Sequence, residues 1–482
     1  MLFNFFPKQS TSDLNSRAII QGNKEISYKE LIDKVKSVSA YFLNEGIKAN
    51  DKAAILSENN TEFIITILSL WNIGAVPIPL NIKLSKKELR DQINFSKCKK
   101  LISIKQAKKI KFQNLQTINF LSSFNKITSN FPLKNKNNLN NTAVIIFTSG
   151  SSGNPKGVML SFGNLDHSAV NCNEILNQVK TDRWLASLPF YHIGGFSIIV
   201  RALLFGASII IPNSLKTKDL ASSLKKDKPT SASFVSTQLK RLIEKNINPN
   251  KELKNILLGG GFVGDDLLNN AIKKGWKIIK VYGSTETASL VTALPFDKIK
   301  NKISSSGKPL NKNEIKIIGE KSRNLSKGKS GEILIKSLSV MKCYLNNKKE
   351  TNRKLINGYY HSGDIGYLDE DGYLFVESRR NDLIISGGEN INPYEVENEI
   401  LKNKSVEEVS IVGLNDVEWG QIAAAAIVIK IGKKINEKNL KESLKKNLAA
   451  YKIPKKIIFV DGLPKSTLGK IQKEKLKKLF KF

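Results

Sequence analysis

Residues Ile145 to Ser161 read IIFTSGSSGNPKGVMLS. An apolar, β-rich run from Ala143 to Phe147 opens into a loop of Ser, Thr and Gly, passes a Pro-Lys-Gly turn, and only then returns to apolar sequence. Glycines let a backbone approach an anion, successive N–H groups point inward, and hydroxyls with one lysine add donors and charge, so the stretch predicts a phosphate cradle. The P-loop cradle needs Gly-Lys-Ser/Thr, whereas Lys156 stands in Pro155-Lys156-Gly157, and that comparison is excluded. A plain Ser/Gly surface loop is the simpler alternative. Two apolar segments bounding the Pro-Lys pair favour the cradle, with Thr148, Ser149, Gly150, Ser151, Ser152, Gly153 and Lys156 as its candidate contacts.

Outward from this loop, strands alternate with helices. AIIQGNKEIS reads as a strand pair, and a helix follows from near Ser27 to Gly46 with apolar residues Leu31, Val35, Val38, Tyr41 and Phe42 at helical spacing. KAAIL is a strand, TEFIITILSLWNI a helix stopped by Gly74, AVPIPL a strand, and another helix starts at Ser85. After the loop come a helix over about Asn164 to Gln178, a strand ending at Pro189 with His192 in the loop beyond it, and a helical stretch carrying Arg201. Two further strand–helix units follow, the second ending in a strand at Tyr282. The pattern predicts an α/β fold: a large N-terminal domain of parallel-type sheets with flanking helices. Residues 304–378 change to short strands and turns, a β-rich subdomain. A small, hinged α+β domain is expected over 381–482, leaving 1–380 as the N-terminal domain.

The whole chain sets the bounds. Its 482 residues exceed one ordinary core, and no apolar run reaches membrane-spanning length. The start shows no signal-peptide pattern. Three cysteines without a CxxC pair argue against structural zinc and a disulfide framework, so a cytoplasmic location is expected. The net charge of +34 invites a nucleic-acid reading, yet only nine of the 77 basic residues are arginines and the lysines are scattered. A lysine-rich solvated surface with no specific nucleic-acid partner is the expectation.

Several residue types point to a ligand. His192 lies at the mouth of a strand, where α/β sheets bind ligands, although a histidine near apolar residues is more often structural. Arg201 has almost no polar neighbours in FSIIVRALLFGA. It either pairs with a distant carboxylate of the protein or receives one from a ligand, for which a planar guanidinium is suited. The triple glycine Gly259, Gly260, Gly261 follows a strand and leaves room for a flat ligand. YGSTETAS supplies Tyr282, Gly283, Thr285, Glu286 and Ser289; a carboxylate beside a triphosphate suits Mg²⁺, although Glu286 could equally be a helix N-terminal charge. Asp364 in YHSGD can accept both hydroxyls of a ribose or simply form a turn. Lys470 sits on a loop before a basic tail.

TSGSSGNPKG resembles, nearly residue for residue, the phosphate-loop signature of the adenylate-forming superfamily of acyl-CoA synthetases, luciferases and peptide synthetases. The resemblance covers essentially the whole chain, with every core motif in order. It implies ATP, Mg²⁺ and coenzyme A as reactants and an AMP-forming acid–CoA ligase. It also implies roles: Gly259 to Gly261 at the adenine, Thr285 at the α-phosphate, Glu286 on Mg²⁺, Asp364 at the ribose, Arg379 near the hinge, and Lys470 as the catalytic lysine. His192 would lie by the acyl pocket, Arg201 and Ser289 on the substrate side, and the Gly387-Gly388 loop on the CoA side. LPFYHIGGFSIIVRALLFGA, YGSTETASLVTALP with SSSGKPL, and RRNDLIISGGENINPYEVE look most like the o-succinylbenzoate-CoA ligase branch, which serves menaquinone and phylloquinone synthesis. Ser378 and Asn381 depart from the residues usual at the hinge. A fatty-acid or aryl-acid ligase is the alternative substrate class, and a non-catalytic nucleotide-binding protein the alternative outside enzymes; a homodimer stays open.

Overall fold

The strands of the largest sheet are continuous apolar runs: NILL at Asn255–Leu258 and SIII at Ser208–Ile211 are buried throughout. A strand buried on both faces needs helices over both, which is the parallel doubly covered arrangement. The computed structural model describes residues 2–3, 13–104, 115–119, 131–133, 137–148, 155–261, 263, 265–319, 323–378, 383–464 and 471–480. The chain divides into two units, one of Met1–Ile82, Ser96–Ile146 and Gly157–Ser378, the other of Lys83–Phe95, Phe147–Lys156 and Arg379–Phe482.

In the first unit a nine-stranded sheet has six parallel strands at its centre, in the order Ile278–Ser284, Asn255–Leu258, Ser231–Phe234, Arg183–Leu185, Ser208–Ile211, Arg17–Gln21. Antiparallel strands close it: Ser289–Leu294 and Lys308–Pro309 on one side, Lys24–Ser27 on the other. A four-stranded parallel sheet orders Val76–Leu80, Lys52–Leu56, Lys100–Ser103 and Gln116–Asn119. The helices between strands start and stop where the sequence marks them. Tyr28–Asn44 begins at a capping box, Glu30 N–H donating to Ser27 Oγ at 3.2 Å and Ser27 N–H to the Glu30 carboxylate at 2.8 Å. Thr61–Ile73 is capped by Asn60 and ends at Gly74 with φ +82°. The β-rich part is a five-stranded antiparallel sheet of Glu314–Ile318, Gly331–Lys336, Tyr359–Leu368, Leu355–Ile356 and Leu374–Ser378.

Two local expectations are corrected. The Pro-Lys-Gly stretch is no turn: Lys156–Ser161 is a strand, paired with Cys343–Tyr344 and extended by Leu345 N–H donating to Gly157 O at 2.7 Å. On its other side it pairs with the nearby Thr142–Thr148, completing a three-stranded sheet whose third strand comes from far along the chain. The strand before His192 ends at Leu185, because beyond it the Asn59 side chain takes over the backbone bonds that a neighbouring strand would make. Its amide donates to Ala186 O and Leu188 O and accepts from Phe190 N–H. His192 is the N-cap of helix Ile193–Leu204, and Gly194 and Gly195 lie in its first turn.

The second unit has its own sheet, Glu389–Ile391, Ile384–Ser386, Gly420–Ile429 and Val406–Asp416, with Lys456–Phe459 parallel beside Gly420–Ile429. Helices Pro393–Leu401 and Glu437–Asn447 contribute Val396, Ile400, Leu440 and Leu444 to its core. Lys452, its side chain 6% exposed, sits between Glu88 at 2.5 Å and Glu395 at 2.7 Å. Burial pushes the Glu395 carboxyl up; burial also works against the charge of Lys452, but Glu395 and Glu88 outweigh it and hold its pKa above the ordinary lysine value. No described helix is long and apolar enough to cross a membrane.

Candidate active site

The candidate residues of the first unit gather where the parallel strands end, the edge at which open α/β sheets bind ligands. Gly259 to Gly261 follow Asn255–Leu258; an added Cβ on Gly259 would lie 2.7 Å from Val281, so strand end and neighbouring strand pack in close contact. Tyr282 and Gly283 lie in the last half of Ile278–Ser284. The Tyr282 hydroxyl donates to the Asp364 carboxylate at 2.7 Å, joining the nine-stranded sheet to the β-rich sheet. Asp364 stands on a bulge of Tyr359–Leu368 rather than in a turn. Its N–H donates to Ser362 Oγ and that of Gly363 to Glu332, at 3.0 Å each.

Thr285 and Glu286 form a single 3₁₀ turn, Thr285–Thr287, directly after the strand. Glu286 is buried, and one carboxylate oxygen accepts from the Tyr344 hydroxyl at 2.8 Å. Its backbone carbonyl accepts from Met341 N–H at 2.8 Å. No described residue hydrogen-bonds its second carboxylate oxygen. A single anchored carboxylate fits Mg²⁺, which takes one or two protein carboxylates and fills its other positions with phosphate and water oxygens. Among the described residues there is no cluster of three metal-ligating side chains.

On the far side of the same turn, Ser289 meets Arg201. Helix Ile193–Leu204 buries Arg201 to 2% exposure, and its Nη2 donates to Ser289 Oγ at 3.0 Å. The guanidinium lies 6.0 Å from the Trp184 ring centroid, and its Nε bonds nothing. Trp184 is fixed by donating its indole N–H to the Gln178 side chain at 2.5 Å, and the Gln178 amide donates to Arg201 O. Of the two fates open to Arg201, the ion pair with a protein carboxylate is not found among the described residues. Burial lowers its pKa, and the Cys172 thiol alone among nearby titratable groups opposes this. Against the several kcal/mol that burying an ion costs, the cation–π contact returns about 0.5–2 kcal/mol and the hydrogen bond about 1.5–3 kcal/mol, and the buried Nε–H is left without a partner.

Of the remaining candidates, His192 packs edge-on against Tyr191, with centroids 4.8 Å apart. In the second unit, Thr148 ends strand Thr142–Thr148 and Lys156, nearly buried, starts the next strand. Gly387 and Gly388 turn the chain between Ile384–Ser386 and Glu389–Ile391 at φ +58° and +87°. Ser149, Gly150, Ser151, Ser152, Gly153, Arg379 and Lys470 lie outside the described residues. Tyr344, Asn59, Trp184 and Gln178 escaped sequence reading: Tyr344 and Asn59 act across 58 or more positions, and the nearer Trp184–Gln178 pair carries no local motif.

Strand ends carrying hydroxyls, glycines and carboxylates, in a chain with a second α+β unit, agree with an enzyme that activates acids with ATP. The chain belongs to the AMP-binding enzyme family, which it matches over residues 6–345, with the AMP-binding enzyme C-terminal domain matched over 395–470, and it is an AMP-forming, adenylate-forming acid–CoA ligase. It is 35% identical to the 2-succinylbenzoate–CoA ligase of Listeria innocua serovar 6a, over 98% of each chain. It superposes with a TM-score of 0.91 and 32% identity, over 96% of each chain, on a double mutant of o-succinylbenzoate CoA synthetase from Bacillus subtilis bound to its product analogue OSB-NCoA. The same Bacillus subtilis enzyme in complex with ATP and magnesium ion superposes with a TM-score of 0.72 at 32% identity, over 96% of each chain.

Proposed function

We propose that this ligase acts on 2-succinylbenzoate, the acid named in its relatives, and that the carrying observation is Arg201: a buried guanidinium with an unbonded Nε and no carboxylate beside it among the described residues. The acid has two carboxylates. One is activated, and the other needs a counter-charge, which Arg201 supplies through a bidentate pair. An acid with a single carboxylate leaves that guanidinium uncompensated.

In the reading we favour, an oxygen of the reacting carboxylate attacks the α-phosphorus of ATP, the bond to pyrophosphate breaks, and acyl-adenylate forms. The CoA sulfur then attacks the acyl carbon, the thiol loses its proton, and AMP leaves. Thr148 to Lys156 hold the β- and γ-phosphates, Gly259 to Gly261 the adenine, Asp364 the ribose and Thr285 the α-phosphate; Lys470 faces the charge developing on the reacting carboxylate. Glu286 would hold Mg²⁺, which neutralises phosphate charge when bound. Catalysis is then mostly placement and charge matching. The boundary near 380, with Ser378, Arg379 and Asn381, is the proposed hinge, and the Gly387-Gly388 loop serves the thioester step.

The test compares AMP release from 2-succinylbenzoate with that from the same keto acid lacking the ring carboxylate, using the wild type and Arg201→Leu. The wild type should prefer the diacid by about 100-fold, as expected for one charge-assisted bidentate contact. Arg201→Leu should erase that preference and still turn over the monoacid measurably. A preference that survives the substitution, or a fatty acid outpacing both, would refute the substrate assignment.

A further inference from the structure

We propose that Ser289 is a positioning residue that aims the Arg201 guanidinium and ties the acid side of the site to the nucleotide side; this rests on the reading of Arg201 given above. Ser289 has φ +104°, a backbone region that side-chain-bearing residues rarely adopt, and Ala288 before it has φ +50°. Glycine would be relaxed at Ser289. Strain of this kind persists where its surroundings over-determine it, and here they do.

Three contacts pin the backbone. The Ala288 carbonyl accepts from Ser168 Oγ at 2.7 Å, reaching across from helix Phe162–Leu176. The Ser289 carbonyl accepts from Thr287 Oγ1 at 3.0 Å and presses on Gly283, where an added Cβ would stand 1.7 Å from it. The Thr287 hydroxyl, fully buried, also accepts from Ser284 N–H at 2.8 Å. With the backbone held on each side, the Ser289 Cβ has its place set, and from there the hydroxyl contacts the Arg201 Nη2 at 3.0 Å.

That bond is the guanidinium's one hydrogen bond to a described side chain. It takes one N–H and orients the plane, leaving Nε–H for a planar carboxylate. The same turn begins with Thr285 and Glu286, so a shift of Ser289 changes the distance between the acid's counter-charge and the nucleotide contacts. Ser289 is therefore worth its strain for its hydroxyl.

Steady-state kinetics on Ser289→Ala and Ser289→Gly, with the diacid and the monoacid analogue, test this. Both variants should raise the KM of the diacid about tenfold, the loss expected of one hydrogen bond to a charged group. The fall in kcat should stay within about twofold and the KM of MgATP should hold, as expected when only ground-state binding of the diacid is lost. The monoacid KM should move less than about twofold, since it makes no use of Arg201. Ser289→Gly should melt at the same temperature as the wild type or higher, so stability and diacid affinity move in opposite directions. An unchanged diacid KM in both variants, or an equal KM rise for diacid and monoacid, overturns the proposal. Arg201→Leu separates the two readings. If it erases the diacid preference while the Ser289 variants keep it, only the role of Ser289 falls; if the preference survives Arg201→Leu, both fall.

Discussion

Two buried cations in this protein meet the same cost in different ways. Lys280, 7% exposed in strand Ile278–Ser284, donates to Ile303 O and Ser304 O at 3.1 Å each, and burial drops its pKa to about 8 against the pull of Asp265. It can shed its proton. Arg201 cannot, because a guanidinium stays charged at any pH a protein survives, and no carboxylate among the described residues pairs with it. The lysine has a pH signature. Between about pH 8 and pH 10.5 the unfolded chain holds the Lys280 proton and the folded chain does not, so in this window stability rises with pH. Below pH 8 both states are protonated and the folded state carries the full cost, of order 3 kcal/mol. Urea midpoints of the wild type and Lys280→Met at pH 7 and pH 9.5 check this: the difference should move toward the wild type at the higher pH. A constant difference would mean that Lys280 is not depressed.

At the scale of elements, the turn Ser284–Ser289 holds the site together. Gly283 admits no side chain, since the clash is with the Ser289 carbonyl and carbon rather than with a flexible side-chain end. Gly283→Ala should therefore cost at least about 2 kcal/mol, as overpacking against fixed backbone does, and lower ATP–pyrophosphate exchange together with stability. Urea unfolding and the exchange assay on one preparation would show both; a stable, active variant would mean that the turn can open. This element also shows what sequence reading reaches. The helix start near Ser27 and the stop at Gly74 are legible because caps are local chemistry. Tyr282, Glu286 and Asp364 were legible through their motifs. The left-handed Ser289 and the Tyr344 bond to Glu286 were not, since they involve groups brought together across 58 to 120 positions. The strand at Lys156 reads as a turn because Pro-Lys-Gly carries turn chemistry, whereas Lys156–Ser161 sits between Thr142–Thr148 and the distant Cys343–Tyr344.

At the scale of the whole molecule, the second unit is built from three separate stretches of chain. Its helix Lys86–Ser96 is bound to the C-terminal stretch by Lys452, between Glu88 and Glu395, and by Lys83 donating to Glu389 at 2.9 Å. Lys452→Ala would leave two buried carboxylates facing one another, at a cost of roughly 3–5 kcal/mol. Adding Glu88→Gln and Glu395→Gln should recover most of it, because no buried charge is then left unpaired. Calorimetry on the single and triple variants distinguishes this from loss of packing, which the triple variant would not repair. The same triad bears on biosynthesis. Glu88 and Lys452 are 364 residues apart, so at 5–20 residues per second the early helix leaves the ribosome roughly 20–70 s before its partner is made. Throughout that interval its acidic face has no cation from the C-terminal stretch. Synthesis interrupted in that window yields a nascent chain with a helix still waiting for its mate, which makes the last hundred codons the ones on which completion of the second unit depends.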